Sequence, residues 1–257
     1  GTIWMDYEER TVDDPIATVE ASYLVVMGSG GTVITDAAGA YLMSTVDDED
    51  LTAVIEGSYI SMWDESIGAM PEAVFAGVQG TGNDFTWGDA EASIAARDVA
   101  VHYELARQYV YQREPGFYWL QDVVPATVNI GSGSCNAYYT SGTINFYQAG
   151  GGCENFGRVS DVVYHEYGHG VHHYIIETGG FDGTVSEGSA DYLSATIWDD
   201  PYMAIGAYGP GTWIREIETD HVYPVDIINE VHHDGLIWGS AIWDIREEMI
   251  ATYGYDD

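Results

Sequence analysis

The run His165-Glu166-Tyr167-Gly168-His169 sets two imidazoles four residues apart around a carboxylate. On an α-helix, positions i and i+4 share one face, about 6 Å apart, so both rings can hold one metal ion. Glu166 sits one residue along and can reach a water on that ion. Val159, Val162, Val163, Tyr167 and Val171 supply the apolar positions of a buried helix. A catalytic zinc takes a third protein ligand and keeps its fourth position open for water. Glu187 is the candidate, eighteen residues after His169, in Ser186-Glu187-Gly188-Ser189-Ala190-Asp191. The spacing of Glu187 and Asp191 puts both on one helical face, and Asp191 could accept the second ring N–H of a ligand histidine. The bland alternative is an ordinary acidic helix face. Order and spacing together favour a His2Glu zinc site.

These residues need rigid elements to hold them. Helical periodicity predicts helices over 159–177, 186–198 and 236–253. An earlier helix starts near Asp89 and ends near Glu114-Pro115-Gly116, with Ile94, Val101, Leu105 and Tyr109 on one face. A strand at Ala126–Ile130 leads to two aromatic runs around Ser141-Gly142, which read as a hairpin. Its arms bring Cys135 and Cys153 close enough for a disulfide, the alternative being two buried thiols. Such a bond implies an oxidising compartment, hence a secreted or extracellular protein.

The first 63 residues lack helical periodicity. Strands are expected at Thr2–Met5, Ile16–Val26, Thr32–Thr35, Ala40–Thr45 and Leu51–Met62, separated by glycine-rich and acidic turns. The resulting expectation is an α+β chain in three parts: a small β-sandwich over 1–66, a Gly-rich connector over 67–88, and the metal-bearing domain over 89–257.

Composition narrows the function further. The 257 residues carry 42 acidic and seven basic side chains, a formal charge of −35, and no Lys. A field of that sign repels phosphate backbones and anionic membrane surfaces, which excludes nucleic acid as a partner. No apolar run approaches the roughly 20 residues of a membrane span. A lysine-free acidic surface suits concentrated salt, so a halophilic setting is expected. Position 1 is Gly and no leader-like segment follows, so any signal peptide is expected to have been removed or to lie outside this sequence. Acidic turns at Asp47–Asp50, Asp182 and Asp199-Asp200 could bind Ca2+, though a solvated turn explains each as well.

At these residues the chain resembles the thermolysin and fungalysin group of gluzincin zinc metallopeptidases. Asn136-Ala137-Tyr138-Tyr139 resembles the edge strand that binds substrate backbone, which implies Asn136 and Ala137 as substrate-binding residues. His165–Gly170 resembles the zinc helix, and Glu187–Tyr192 the third-ligand helix. Val231-His232-His-Asp-Gly235-Leu-Ile-Trp238 resembles the segment whose His stabilises the transition state, which implies His232 rather than His233. Trp213-Ile214-Arg215 resembles the segment whose Arg grips a substrate carbonyl. Tyr174 is the candidate for the Tyr that assists His232. Within the first segment, Thr35–Tyr41 resembles the transthyretin-like sandwiches found beside secreted hydrolases. The chain ends soon after the His232 helix, where relatives continue, so a processed or truncated form is one expectation.

The resemblance implies a secreted zinc endopeptidase in which Glu166 is the general base and His232, with Arg215, donates to the oxyanion. Two alternatives remain at this stage. A gluzincin aminopeptidase should carry a G-x-M-E-N strand shortly before the zinc helix, and Gly68-Ala-Met70-Pro-Glu72 is a poor and distant echo. A surface or adhesion protein with a vestigial protease domain need not keep the full His-Glu-His-Glu set. His102, His172, His173 and His221 are expected to be structural or solvent-facing, with His172 near the site.

Overall fold

The computed structural model describes residues 1–44, 47–176 and 182–254. Thr45 and Glu177, the last residues of two expected elements, lie outside the described residues, as does the terminal 255–257. The first part of the chain forms β1 (Ile3–Glu8), β2 (Ile16–Glu20), β3 (Leu24–Gly28), β4 (Gly31–Ile34), β5 (Glu49–Gly57), β6 (Ile60–Asp64), β7 (Glu72–Gly77) and β8 (Phe85–Trp87). Then come α1 (Ile94–Arg113), β9 (Val124–Ile130), β10 (Ala137–Thr140), β11 (Thr143–Tyr147), α2 (Ser160–Ile175), α3 (Gly183–Trp198), β12 (Tyr202–Met203), β13 (Arg215–Glu216) and α4 (Val231–Tyr253). The fold is mixed α+β, with several sheets and the helices gathered in the second half. None of the described helices is long and apolar enough to cross a membrane.

The expected division at residues 67–88 does not divide the molecule. One eight-stranded sheet runs β10-β11-β9-β6-β5-β3-β4, with β7 also on β5. Its seam is β6 on β9, parallel, from Ile60↔Val124 to Asp64↔Val128. A strand of the supposed sandwich therefore pairs with a strand of the supposed metal domain. The expected connector itself holds β7 and β8, and β8 closes a second sheet, β2-β1-β8. A single apolar cluster joins Ile3, Val26 and Ile55 to Val99, Phe146 and Val163. The separate sandwich over 1–66 is corrected accordingly: its apolar faces are completed by α1 and β9.

Two expected strands are also redrawn. Ile16–Val26 is broken by Tyr23, whose φ of 60° turns the chain between β2 and β3. Leu51–Met62 is broken at Ser58-Tyr59, between β5 and β6. No strand forms over the described residues 40–44, which contribute one isolated bridge, Thr2 with Ala40.

α1 begins at an N-cap, where Ser93 accepts from the Ala96 N–H. Its buried face is Ala96, Val99, Tyr103, Ala106 and Val110, and Leu105 is 41 % exposed. The expected face was drawn through the largest aliphatics. Alanines win because they let the helix lie close against β6 and β9. α2 passes through the middle of the molecule, and every residue from Ser160 to Gly170 is buried. A helix buried on all sides loses its polar stripe, so the polar groups on it must find partners or a ligand.

Candidate metal centre

α2 carries His165 and His169 one turn apart, and α3 lays Glu187 across them. Close packing of α3 on α4 depends on missing side chains. A Cβ on Gly188 would meet the Gly235 carbonyl oxygen at 2.2 Å, and one on Gly235 would meet the Glu187 Cβ at 2.9 Å. These glycines let the start of α4, with His232, approach Glu187.

The donor atoms converge. His165 Nε2 lies 3.0 Å from His169 Nε2 and 3.2 Å from Glu187 Oε2, and His169 Nε2 lies 3.7 Å from the same oxygen. The three residues are the one group of this kind among the described residues that could hold a metal ion. Two imidazole nitrogens 3.0 Å apart repel unless a proton or a cation sits between their lone pairs. Glu187 Oε2 is buried and faces both imidazole nitrogens. Two nitrogens and one carboxylate oxygen are a zinc donor set, so the residues fit that ion.

Outer groups fix each ring. His165 Nδ1 lies 2.8 Å from Asp191 Oδ1, and His169 Nδ1 lies 2.8 Å from Ser186 Oγ. Asp191 is fully buried and receives Nε and Nη2 of Arg215 at 2.9 and 2.8 Å. Burial opposes charge on His165, but Asp191 and Glu187 outweigh it and hold its pKa at about 10. Burial, then the charge on His165, pushes His169 down to about 3. Glu187 is also penalised by burial, yet the hydrogen bond and charge of His165 bring it down to about 2. The pull that places a proton on His165 is the pull these groups would exert on a metal cation.

A cleft of about 330 Å³ opens over this group. It is lined by Asn136, Ala137, Tyr138 and Tyr139 on one side and by Ser186, Glu187 and His232 on the other, with Glu166 at its floor. Glu166 is 4 % exposed, and its Oε2 has no hydrogen-bond partner. Burial raises its pKa to about 7, against the charge of His165 and the Tyr139 backbone N–H, which lower it. A carboxylate poised there can take or give a proton near neutral pH.

His232 lines the cleft, and His233 turns away, its ring 4.6 Å from that of His221 and its Nδ1 3.3 Å from Asp234 Oδ1. Glu230 was not foreseen from the sequence. Glu230 caps α4, accepting from the backbone N–H of His232 and His233, and its Oε1 lies 2.7 Å from His232 Nδ1. Those bonds, the one from His232 first, bring its pKa down to about 2. Glutamate is an uncommon N-cap, so the position carried no cap signal. Ser186 was equally hidden, as an unremarkable residue before a ligand.

Arg215, expected to reach substrate, donates Nε–H and Nη2–H to Asp191. Tyr174 packs flat on Trp119 and is not among the cleft-lining residues. Cys135 and Cys153 are bonded, with Cα atoms 5.4 Å apart. The acidic turns are engaged differently from a calcium loop. Asp199 pairs with Arg246, Asp200 with Arg10, and Asp182 caps α3 at the Val185 N–H. Gly68–Glu72 runs from the β6–β7 connection into the first residue of β7 and does not line the cleft. His102 is buried between Tyr164 Oη and the Glu8 carbonyl, a structural placement.

No protein-family model and no curated protein sequence matches this chain. Among solved structures it is similar to the precursor of protealysin, a metalloproteinase from Serratia proteamaculans. The TM-score is 0.54 at 14 % identity, over 73 % of this chain and 68 % of that one. The likeness defines a fold shared with a metalloproteinase precursor.

Proposed function

We propose that this chain is a secreted, zinc-dependent endopeptidase of the thermolysin and fungalysin type. One observation carries the reading: donor atoms of His165, His169 and Glu187 all lie within 4.8 Å of one another, in a cleft that also holds Glu166 and an edge strand. The metalloproteinase-like fold and the disulfide, which suits an oxidising compartment, support it.

His165, His169 and Glu187 would hold zinc, which supplies Lewis acidity and lowers the pKa of a coordinated water. Asp191 and Ser186 keep the two imidazoles in the tautomers that present Nε2 inward. Arg215 holds Asp191 in turn. A peptide lies extended along the free edge of β10, adding a strand to the sheet. Asn136 and the backbone of Ala137 set its register. Glu166 Oε2 accepts the proton of the attacking water and passes it to the leaving amine. His232, with Nδ1 anchored on Glu230, directs Nε2 toward the developing oxyanion.

The test pairs metal content with turnover. Glu166→Gln should retain close to one zinc per chain and lose roughly 10²–10⁴-fold in hydrolysis of an internally quenched peptide. His232→Ala should retain zinc and lose roughly 10²–10³-fold, with His233→Ala far milder. Activity surviving in zinc-loaded Glu166→Gln would sink the mechanism, and a zinc-loaded native chain that cleaves no peptide would sink the function.

A further inference from the structure

β10 is the last strand of its sheet and has one neighbour, β11, from Ala137↔Phe146 to Thr140↔Thr143. A four-residue edge strand with one neighbour opens readily. Yet its Ala137, Tyr138 and Tyr139 form one wall of the cleft that holds Glu166. The disulfide ties down one end, immediately before Asn136. At the other end the anchor is aromatic. Tyr139 Oη lies 2.8 Å from His173 Nδ1, at the C-terminal end of α2. The His173 ring stacks on Tyr174, with centroids 4.8 Å apart and planes 13° apart. Tyr174 stacks on Trp119 at 5.1 Å, and Trp119 stacks on Tyr167 of α2 at 5.0 Å. Trp119 is 2 % exposed, so this column of rings ends in the core. The hairpin tip rests on the same column: Gly142 has φ +86°, and a Cβ there would meet Tyr174 Oη at 2.9 Å. Tyr118 Oη donates to the Tyr174 carbonyl at 3.2 Å and fixes the column from outside.

We propose that Tyr139 and His173 are a positioning pair, which pins edge strand β10 to the metal-bearing helix and so holds this cleft wall in place beside Glu166. This rests on the peptidase reading for its consequence in catalysis, but not for the pinning itself. His173 is one turn beyond His169 and is not part of the metal group. Losing the pair therefore leaves the ligands in place.

The experiment uses the whole chain in four forms: native, Tyr139→Phe, His173→Ala and His173→Asn. Phe keeps the ring and deletes the O–H, whereas Asn restores an acceptor in place of Nδ1. Residue-resolved amide exchange, zinc content and peptide hydrolysis are measured on each. Tyr139→Phe and His173→Ala should exchange the amides of Tyr138, Tyr139 and Thr140 about 5–10-fold faster, with α2 unchanged. Both should keep zinc and lose about 10-fold in kcat at nearly constant KM, as for a substrate misplaced against the base. His173→Asn should recover both readouts. Unchanged exchange in the first two variants overturns the pair whatever the activity. Faster exchange with unchanged kcat overturns its role in holding the cleft wall beside Glu166. An inactive, zinc-loaded native chain overturns the peptidase reading instead, and the exchange data still decide the pinning.

Discussion

The first turn and the middle of α2 are both buried, both acidic, and built on opposite principles. At its start, three carboxylates meet an arginine. Asp161 receives Arg10 at 3.2 Å, Asp200 receives Arg10 at 2.8 Å, and Glu8 receives Arg158 at 2.9 Å. Asp161 also sits in the first turn, where the helix dipole favours negative charge. In the middle of the helix, Glu187 of α3 faces two imidazole nitrogens and Glu166 faces the cleft, and neither carboxylate meets an arginine. Burying charge is costly, and a fold tolerates it when the partner is built in. The first turn supplies its own cations. The middle leaves room for one from solution. The difference separates a structural ion-pair cluster from a metal site within a single helix.

The sharpest way to break the comparison is to remove one group from each region. Glu187→Ala should abolish zinc binding and turnover together, since two ligands hold the ion too weakly. Arg158→Ala should keep zinc and lower stability by about 2–4 kcal/mol. That is less than the loss for a fully enclosed pair, because Arg158 is 24 % exposed. For a chain of this size it corresponds to a fall of about 5–12 °C in Tm. Zinc loss in Arg158→Ala, or zinc retention in Glu187→Ala, would erase the distinction. Metal analysis and calorimetry on the same samples decide it.

The structural region should also show a pH signature. Asp98 is fully buried beside Glu8 and accepts the Glu8 N–H at 2.9 Å. Burial, over the backbone hydrogen bond, raises its pKa to about 8. In the unfolded chain an Asp titrates near 3.9. Between those values the folded state holds a proton that the unfolded state has lost. Stability therefore falls as pH rises from about 4 to about 8. Asp98→Asn should remove that falling limb and leave the chain more stable than native at pH 8, with little change near pH 4. Parallel denaturation curves for the two proteins across this range would refute the assignment.

The smallest effect concerns the surface. With a formal charge of −35, self-repulsion should ease as salt screens it. Tm should rise by several degrees between dilute and molar NaCl. A flat or falling curve would leave plain acidity in place of a halophilic adaptation.

Much of the cleft was legible because its signals are local. The His165–His169 spacing, the Glu187–Asp191 spacing and the Ser141-Gly142 turn each fit within one element, and the structure places them on α2, on α3 and between β10 and β11. The seam of the large sheet was not legible. β6 finds β9 some sixty residues later, and a parallel pairing leaves no turn signature between its partners. The buried acids at the start of α2 were hidden for a different reason. Among 42 acidic residues, nothing local marks Glu8 or Asp161 as enclosed, because their arginines come from distant segments. The Arg215 pairing with Asp191 was hidden too, because the two lie on separate elements and Asp191 was assigned only to His165.

The arginines have one more consequence. The sequence offers trypsin-like enzymes seven cleavage points, all at arginine. Arg97, Arg107 and Arg246 are buried, and Arg10, Arg158 and Arg215 are half-buried in ion pairs. Arg113 alone is exposed, at the last turn of α1. Digestion of the folded chain should therefore start at that helix end. Cuts at the other six report how often the molecule opens, so trypsin becomes a stability gauge that needs no added label.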